Sequence, residues 1–144
     1  MTFTSTSTEE SIARGRELAR RLKPPVLVLL SGELGAGKTT LAKGIISGLG
    51  AAREEDVTSP TFTLVHSFRV AGGWKVHHVD LYRVSDRHSL ETLGLEDILD
   101  EPAIVLVEWP DRLAALGGRS NWPVVRVALT HCADDSRRLE VTGL

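Results

Sequence analysis

Cysteine is almost missing from this 144-residue chain; Cys132 stands alone. No internal disulfide can form, and the usage fits a reducing cytoplasm. Long apolar runs are missing too. The two strongest, Val26 to Leu30 and Ala103 to Val107, fall far short of the ~20 residues that span a bilayer. The opening stretch Met1-Thr2-Phe3-Thr4-Ser5-Thr6-Ser7-Thr8 has neither a basic start nor an apolar centre, so it does not read as a secretion signal. Neither sign of charge dominates. Seventeen Lys and Arg against nineteen Asp and Glu leave a net charge of -2, so no global basic field marks a nucleic-acid binder. Arg137 and Arg138 offer only a local basic patch. Asparagine occurs once, as Asn121, followed by Trp122. There is no N-K-x-D guanine signature and no D-x-x-G switch, which argues against a conventional GTPase. A G-x-S-x-G elbow is absent, removing support for a serine hydrolase. C-x-x-C pairs are absent as well. Adjacent histidines His77 and His78 would face opposite sides of a strand and could not share one ion, and His131 with Cys132 fails the same test.

Against these absences stands one complete motif. Gly32-Glu33-Leu34-Gly35-Ala36-Gly37-Lys38-Thr39 has the form G-x-x-x-x-G-K-[ST]. Val26 to Leu30 leads into it as a buried strand, and Thr39 to Leu49 leaves it as a helix. Glycines permit turns barred to other residues and let backbone approach phosphate closely. The loop amides, including those of Gly35, Ala36 and Gly37, then form an anion nest at a helix N-terminus. Lys38 is expected to reach the β- and γ-phosphates, and Thr39 to place its hydroxyl on Mg²⁺. Thr40, one step round the helix, is expected near the α-phosphate. The implied ligand is a nucleoside triphosphate with magnesium.

Hydrophobic content of 42% and charged content of 25% describe a globular protein. The length suits one domain, residues 1–144. Ser7-Thr8-Glu9-Glu10 has capping-box form, with Ile12, Leu18, Ala19 and Leu22 following at near-helical spacing up to Lys23-Pro24-Pro25. After the loop helix, Gly50 reads as its C-cap. Phe62 to Val70 and Trp74 to Val79 read as strands joined through Ala71-Gly72-Gly73. Ser85 to Leu99 reads as a helix broken near Gly94. Ala103 to Val107 is a second buried strand, and Leu113 to Asn121 is loop or short helix. Val124 to Thr130 and Leu139 to Thr142 close the chain as strands. The expected fold is α/β, a single P-loop NTPase domain whose mixed, mostly parallel sheet is flanked by helices.

A P-loop needs a carboxylate at a neighbouring strand tip to hold Mg²⁺ or orient water. Glu108 follows the apolar run Ile104 to Val107 and Asp80 follows Val79, both at strand ends where ligands bind in open α/β sheets. Glu108 is favoured as the magnesium-side acid and Asp80 as a second acid near the γ-phosphate or metal; exchanged roles also fit. Thr61 lies in a polar segment suited to fold over the γ-phosphate, or serves as an ordinary turn hydroxyl. Trp109 reads either as a packed aromatic or as a partner anchor.

Four ordered segments then form a pattern: the loop through Thr40, Ser59-Pro60-Thr61-Phe62-Thr63-Leu64-Val65, His78-Val79-Asp80-Leu81-Tyr82-Arg83, and Val107-Glu108-Trp109-Pro110. Together they resemble the TsaE family of small bacterial ATPases in tRNA threonylcarbamoyladenosine biosynthesis, over nearly the whole chain. The resemblance implies a compact P-loop fold with a mixed sheet. It implies ATP hydrolysis, slow alone, within a complex with TsaB and TsaD that modifies an adenosine beside the tRNA anticodon. The family member does not itself transfer the carbamoyl group. By position, Lys38 binds phosphate, Thr39 and Glu108 hold magnesium, Thr61 lies in a switch-like segment and Asp80 in a second acidic motif. The adenine would lie between the N-terminal segment near Thr8 and a turn near Ser136-Arg137. Ser136 stands where relatives commonly carry glycine, and Glu33 where aspartate is commoner; that loop position is expected chiefly to supply its backbone.

Two other functions share the phosphate motif. A small-molecule P-loop kinase would need an acceptor site and often a lid arginine, for which Arg112 or Arg119 would have to serve. A nucleotide-gated protein-binding module would use ATP as structural glue. Positioned water and stabilised transition-state charge distinguish hydrolysis from binding.

Overall fold

The computed structural model describes residues 1–33, 35–58, 60, 64–84, 88, 93–111 and 121–144. In chain order the elements are β1 (Thr2–Ser5), α1 (Thr8–Ala19), β2 (Val26–Ser31), α2 (Lys38–Gly48), a 3-10 turn (Glu54–Asp56), β3 (Val65–Arg69), β4 (Lys75–Asp80), α3 (Leu95–Ile98), β5 (Ala103–Glu108), β6 (Val124–His131) and β7 (Arg137–Thr142). Seven strands form one mixed sheet in the order β1-β7-β6-β2-β5-β4-β3. The central strands β6, β2, β5 and β4 pair in parallel. The flanks are antiparallel: β3 on β4, β7 on β6 and β1 on β7.

The two innermost strands are covered on both faces, so residues 26–30 of β2 and 103–107 of β5 are apolar at every position instead of alternating. Val26, Val28 and Leu30 of β2, with Ile104 and Leu106 of β5, pack with Leu18, Leu41, Ile45 and Ile46 of the long helices. Leu27 and Leu29, with Ala103, Val105 and Val107, face the other way, against Leu95, Ile98 and Leu99. Full burial of each large aliphatic side chain is worth about 1.5–3 kcal/mol.

Local chemistry sets the helix ends. Ser7 caps α1, its Oγ accepting from the Glu10 N–H at 3.1 Å. Glu10 closes the cap on Thr6, accepting from both its N–H and its Oγ1, and these bonds hold the Glu10 carboxyl below the usual range. The capping partner is therefore Thr6, one residue earlier than a simple capping box. Gly50, at φ 75°, ends α2 in the left-handed conformation that glycine accepts readily.

One feature the sequence reading did not assign is the strand Thr2–Ser5, which pairs with β7 from Thr2↔Glu140 to Ser5↔Arg137. The expected break near Gly94 is present: after Gly94, where φ is 73°, Leu95–Ile98 forms a short helix. Residues 85–87 and 89–92, and the stretch 112–120, lie outside the described residues.

Candidate functional site

β2 ends at Ser31 in the middle of the sheet and the chain turns at once into α2. Gly32 takes φ 150°, and a Cβ there would meet the Leu129 carbonyl oxygen at 2.7 Å. Gly35 and Gly37 take φ 82° and 101°, and around a Cβ built on Gly35 there is open space to 4 Å. Gly37 is the N-cap of α2 and offers no side chain, and the first turn holds no acidic residue. The helix therefore begins with bare amides and its positive dipole end facing the loop, a ready anion site.

Lys38 returns its side chain onto the loop. Its Nζ donates to the Gly32 carbonyl at 2.7 Å and the Glu33 carbonyl at 2.9 Å. It also lies 4.2 Å from the Trp109 ring centroid. The side chain is buried, and burial holds the ammonium below the usual lysine range, an effect that Glu108 and Asp80 oppose. Glu33 supplies its carbonyl here and leaves its side chain exposed. Thr40 is half-buried on α2.

The acids come from the neighbouring strands. Glu108 ends β5 in register with Leu30 of β2 and with Asp80, the last residue of β4. Both carboxylates are buried, at 3% and 4% exposure. The Thr39 hydroxyl sits 3.2 and 3.3 Å from the two Glu108 oxygens and donates to that carboxylate. Asp80 Oδ1 accepts from the Tyr82 N–H at 2.9 Å, a turn that fixes the side chain where the strand ends. The donor set of hydroxyl and carboxylate oxygens suits a hard cation such as magnesium better than a soft one. The uncapped amides at the start of α2, the buried ammonium and this oxygen set fit a magnesium-bound polyphosphate.

Immediately after Glu108 the backbone turns sharply. Trp109 has φ 62°, an outlier for a bulky residue that costs on the order of 1–3 kcal/mol. The turn lays the indole over Lys38 and against Tyr82, with ring centroids 4.9 Å apart. Trp109, Pro110 and Asp111 thus form one wall of a groove of about 450 Å³ whose other wall is Ser31, Gly32 and Glu33. A second hollow of about 520 Å³ lies beside Lys75, His77 and Ala103, at the opposite end of β4 and β5, and shares no residue with the loop.

On the loop's other flank, Arg137 opens β7 opposite Ser5, so the N-terminal segment and the β6–β7 turn are brought side by side. Arg137 Nε lies 3.9 Å from the place a Gly37 Cβ would take. Ser136 accepts through its carbonyl from the Cys132 N–H at 2.9 Å. The left-handed residue in this turn is Asp134, at φ 62°, so position 136 accommodates serine without strain. Thr8, in the first turn of α1, is exposed. Thr61, with Phe62 and Thr63, lies outside the described residues.

The motif order and this geometry have a counterpart among known proteins. The family model described as "Threonylcarbamoyl adenosine biosynthesis protein TsaE" matches residues 5–139. The chain belongs to the TsaE family. It is 37% identical over 117 residues to the tRNA threonylcarbamoyladenosine biosynthesis protein TsaE of Haemophilus influenzae, covering 81% of this chain and 69% of that one. The protein of the same name from Mycobacterium tuberculosis is 42% identical over 120 residues, covering 78% and 70%. That of Treponema pallidum is 32% identical over 143 residues, covering 98% and 99%. The fold is similar to the crystal structure of Bacillus subtilis YdiB, with a TM-score of 0.74 at 26% identity over 99% of this chain and 84% of that one.

One residue of this TsaE site escaped the sequence reading. His78 is fully buried and its Nε2 lies 2.6 Å from Glu108 Oε2. The alternation argument separates the two histidines correctly, since His77 bonds Ser67 Oγ at 2.7 Å instead. The same alternation holds the missed signal. His78 precedes Asp80 by two residues on one strand, so both face the acid end of β5.

Proposed function

We propose that this chain is the magnesium-dependent ATPase of tRNA threonylcarbamoyladenosine synthesis, working in a complex with TsaB and TsaD. Residues 1–144 act as a single P-loop domain. One observation carries the reading: Thr39, beside Lys38 at the start of α2, bonds Glu108 from the tip of β5, 69 positions away along the chain. Family membership supports the place in the pathway.

In this reading the amides of Gly35, Ala36, Gly37, Lys38 and Thr39 receive the phosphate chain. Lys38 neutralises charge at its outer end, exchanging its loop carbonyls for phosphate oxygens. Thr39 and Glu108 hold magnesium. That ion, when bound, offsets the negative charge that grows on the transferred group. Asp80, held by its bond from Tyr82, orients the attacking water. The backbone near Ser136 and the segment near Thr8 flank the base.

The test is phosphate release from ATP by wild type and by Lys38→Ala, with and without magnesium and the two partner proteins. Wild type should release phosphate only with magnesium, and faster with partners. In Lys38→Ala, each phosphate bond lost had replaced one to a loop carbonyl, a net of about 0.5–1.5 kcal/mol and so a roughly twofold to tenfold loss of nucleotide affinity per bond. Normal turnover in that variant refutes the assignment. Transfer of phosphate to a metabolite without partners would favour a kinase, and binding without turnover under every condition a gated module.

A further inference from the structure

We propose that His78 is a positioning residue for Glu108: it donates from Nε2 to the carboxylate and fixes the orientation in which Glu108 presents its remaining lone pairs to magnesium. The inference rests on the metal role of Glu108 proposed above and adds to it a residue that stands behind the acid.

The hydrogen-bond network assigns the proton. His78 shows no exposed surface, and its Nδ1 is buried with no hydrogen-bond partner among the described residues. Its Nε2 stands 2.6 Å from Glu108 Oε2. With the proton on Nδ1, a bare nitrogen lone pair would face a carboxylate oxygen at that distance, and a buried N–H would go unpaired, costing about 1–3 kcal/mol. With the proton on Nε2, one bond satisfies both groups and leaves only an acceptor without a partner, the milder deficit. The unpartnered Nδ1 also ends the chain of bonds. Among the described residues no polar group behind the ring bonds Nδ1, so the imidazole orients the carboxylate and does not relay protons through that side.

The carboxylate is thereby clamped on two sides. His78 holds Oε2 from β4, while Thr39 reaches both oxygens from α2. When the Thr39 hydroxyl turns to the metal, His78 becomes the group that keeps Glu108 from rotating. Hydrogen-bonded partners behind a metal ligand typically matter by 10–100-fold in metal affinity.

The experiment is calorimetric binding of a non-hydrolysable ATP analogue, with magnesium and again with excess chelator, to wild type, His78→Phe, His78→Gln and Glu108→Gln. Phenylalanine keeps the ring volume and deletes the donor. Glutamine places an amide N–H near the Nε2 position. The expected result is a loss of about tenfold or more in the magnesium-dependent part of affinity for His78→Phe. Chelator-phase affinity should be unchanged, and His78→Gln should return to within about threefold of wild type. A His78→Phe protein that keeps the full magnesium effect overturns the proposal. So does an equal loss in both His78 variants, which would mean the ring shape matters and the donor does not. Should His78→Phe fail to fold, His78→Gln decides alone, and a magnesium effect there as poor as that of Glu108→Gln overturns it. A Glu108→Gln protein with an undiminished magnesium effect, or a wild type with none, sinks the metal reading of Glu108 itself; retention by His78→Phe beside loss in Glu108→Gln sinks only the role of His78.

Discussion

Gly44→Ala is a severe perturbation for a single methyl group, because α1 and α2 meet backbone to backbone. A Cβ on Gly44 would stand 2.2 Å from the Ile12 carbonyl oxygen, 2.9 Å from its carbon and 3.0 Å from the Gly15 Cα. Carbon and carbonyl oxygen normally approach no closer than about 3.3 Å. The helices would have to part by roughly 1 Å, and the obstacle is main chain that no rotamer change can move. Overpacking of this kind costs about 1–3 kcal/mol, with the upper end expected against backbone. Alanine returns about 1 kcal/mol of helix propensity. The net loss is about 2 kcal/mol, and for a chain of this length each kcal/mol shifts Tm by about 3 °C. Thermal melting should therefore fall by about 6 °C. Gly50→Ala is the comparison: nothing lies within 4 Å of its Cβ, and only the left-handed φ of 75° opposes it, a strain of about 1–2 kcal/mol. A Gly44→Ala protein that melts at or above wild type would refute the close helix contact. That contact matters to function because α2 carries the loop at its N-terminus.

Trp109 covers the Lys38 ammonium at 4.2 Å, so arrival of a polyphosphate must alter the indole's surroundings. In a background with Trp74 and Trp122 replaced by Phe, adding a nucleotide analogue with magnesium should change the emission of Trp109; an unchanged spectrum at saturation would place the ligand elsewhere. Glu10 supplies an acid-sensitive contribution to stability. Its bonds from Thr6 hold the folded-state pKa below the usual 4.5, so the contribution is present above that pH and is lost as pH falls through the folded value. Wild type should melt higher than Glu10→Gln near neutrality, the gap closing on acidification; a gap that widens in acid would contradict the cap.

How much of this was legible follows from how local each signal is. The loop, the strand before it and the helix after it are contiguous, and their residue types are dictated by backbone demands at Gly35 and Gly37. The unbroken apolar runs of β2 and β5 announce strands covered on both faces. Glu108 was legible because a charge directly after such a run must sit at a strand tip. By contrast, β1 is four residues whose strand character comes only from pairing with β7, 132 to 138 positions away along the chain. The Gly15–Gly44 contact is equally non-local, since neither glycine sits in a turn. His78 lay in between. Strand alternation placed it on the Asp80 face, but only the parallel register of β4 on β5 brings its ring to Glu108.

The bonds already made within the site also constrain where binding energy can come from. Lys38 already bonds two loop carbonyls and lies against an aromatic face. Thr39 already bonds Glu108, and Asp80 already accepts from Tyr82. For these groups, nucleotide binding exchanges one set of hydrogen bonds for another, and such an exchange nets only about 0.5–1.5 kcal/mol each. The amides at the start of α2 differ, because helix geometry denies them an intrahelical partner and Gly37 offers no side-chain cap. They gain phosphate contacts without giving up protein ones. Affinity should therefore reside chiefly in the loop backbone, while Lys38, Thr39 and Glu108 act on how tightly the outer phosphate and its metal are held. On that division, truncating the side chains should discriminate triphosphate from diphosphate binding more than it lowers diphosphate affinity. A Lys38→Ala protein that loses both ligands equally would show that the side chain, not the main chain, supplies the grip.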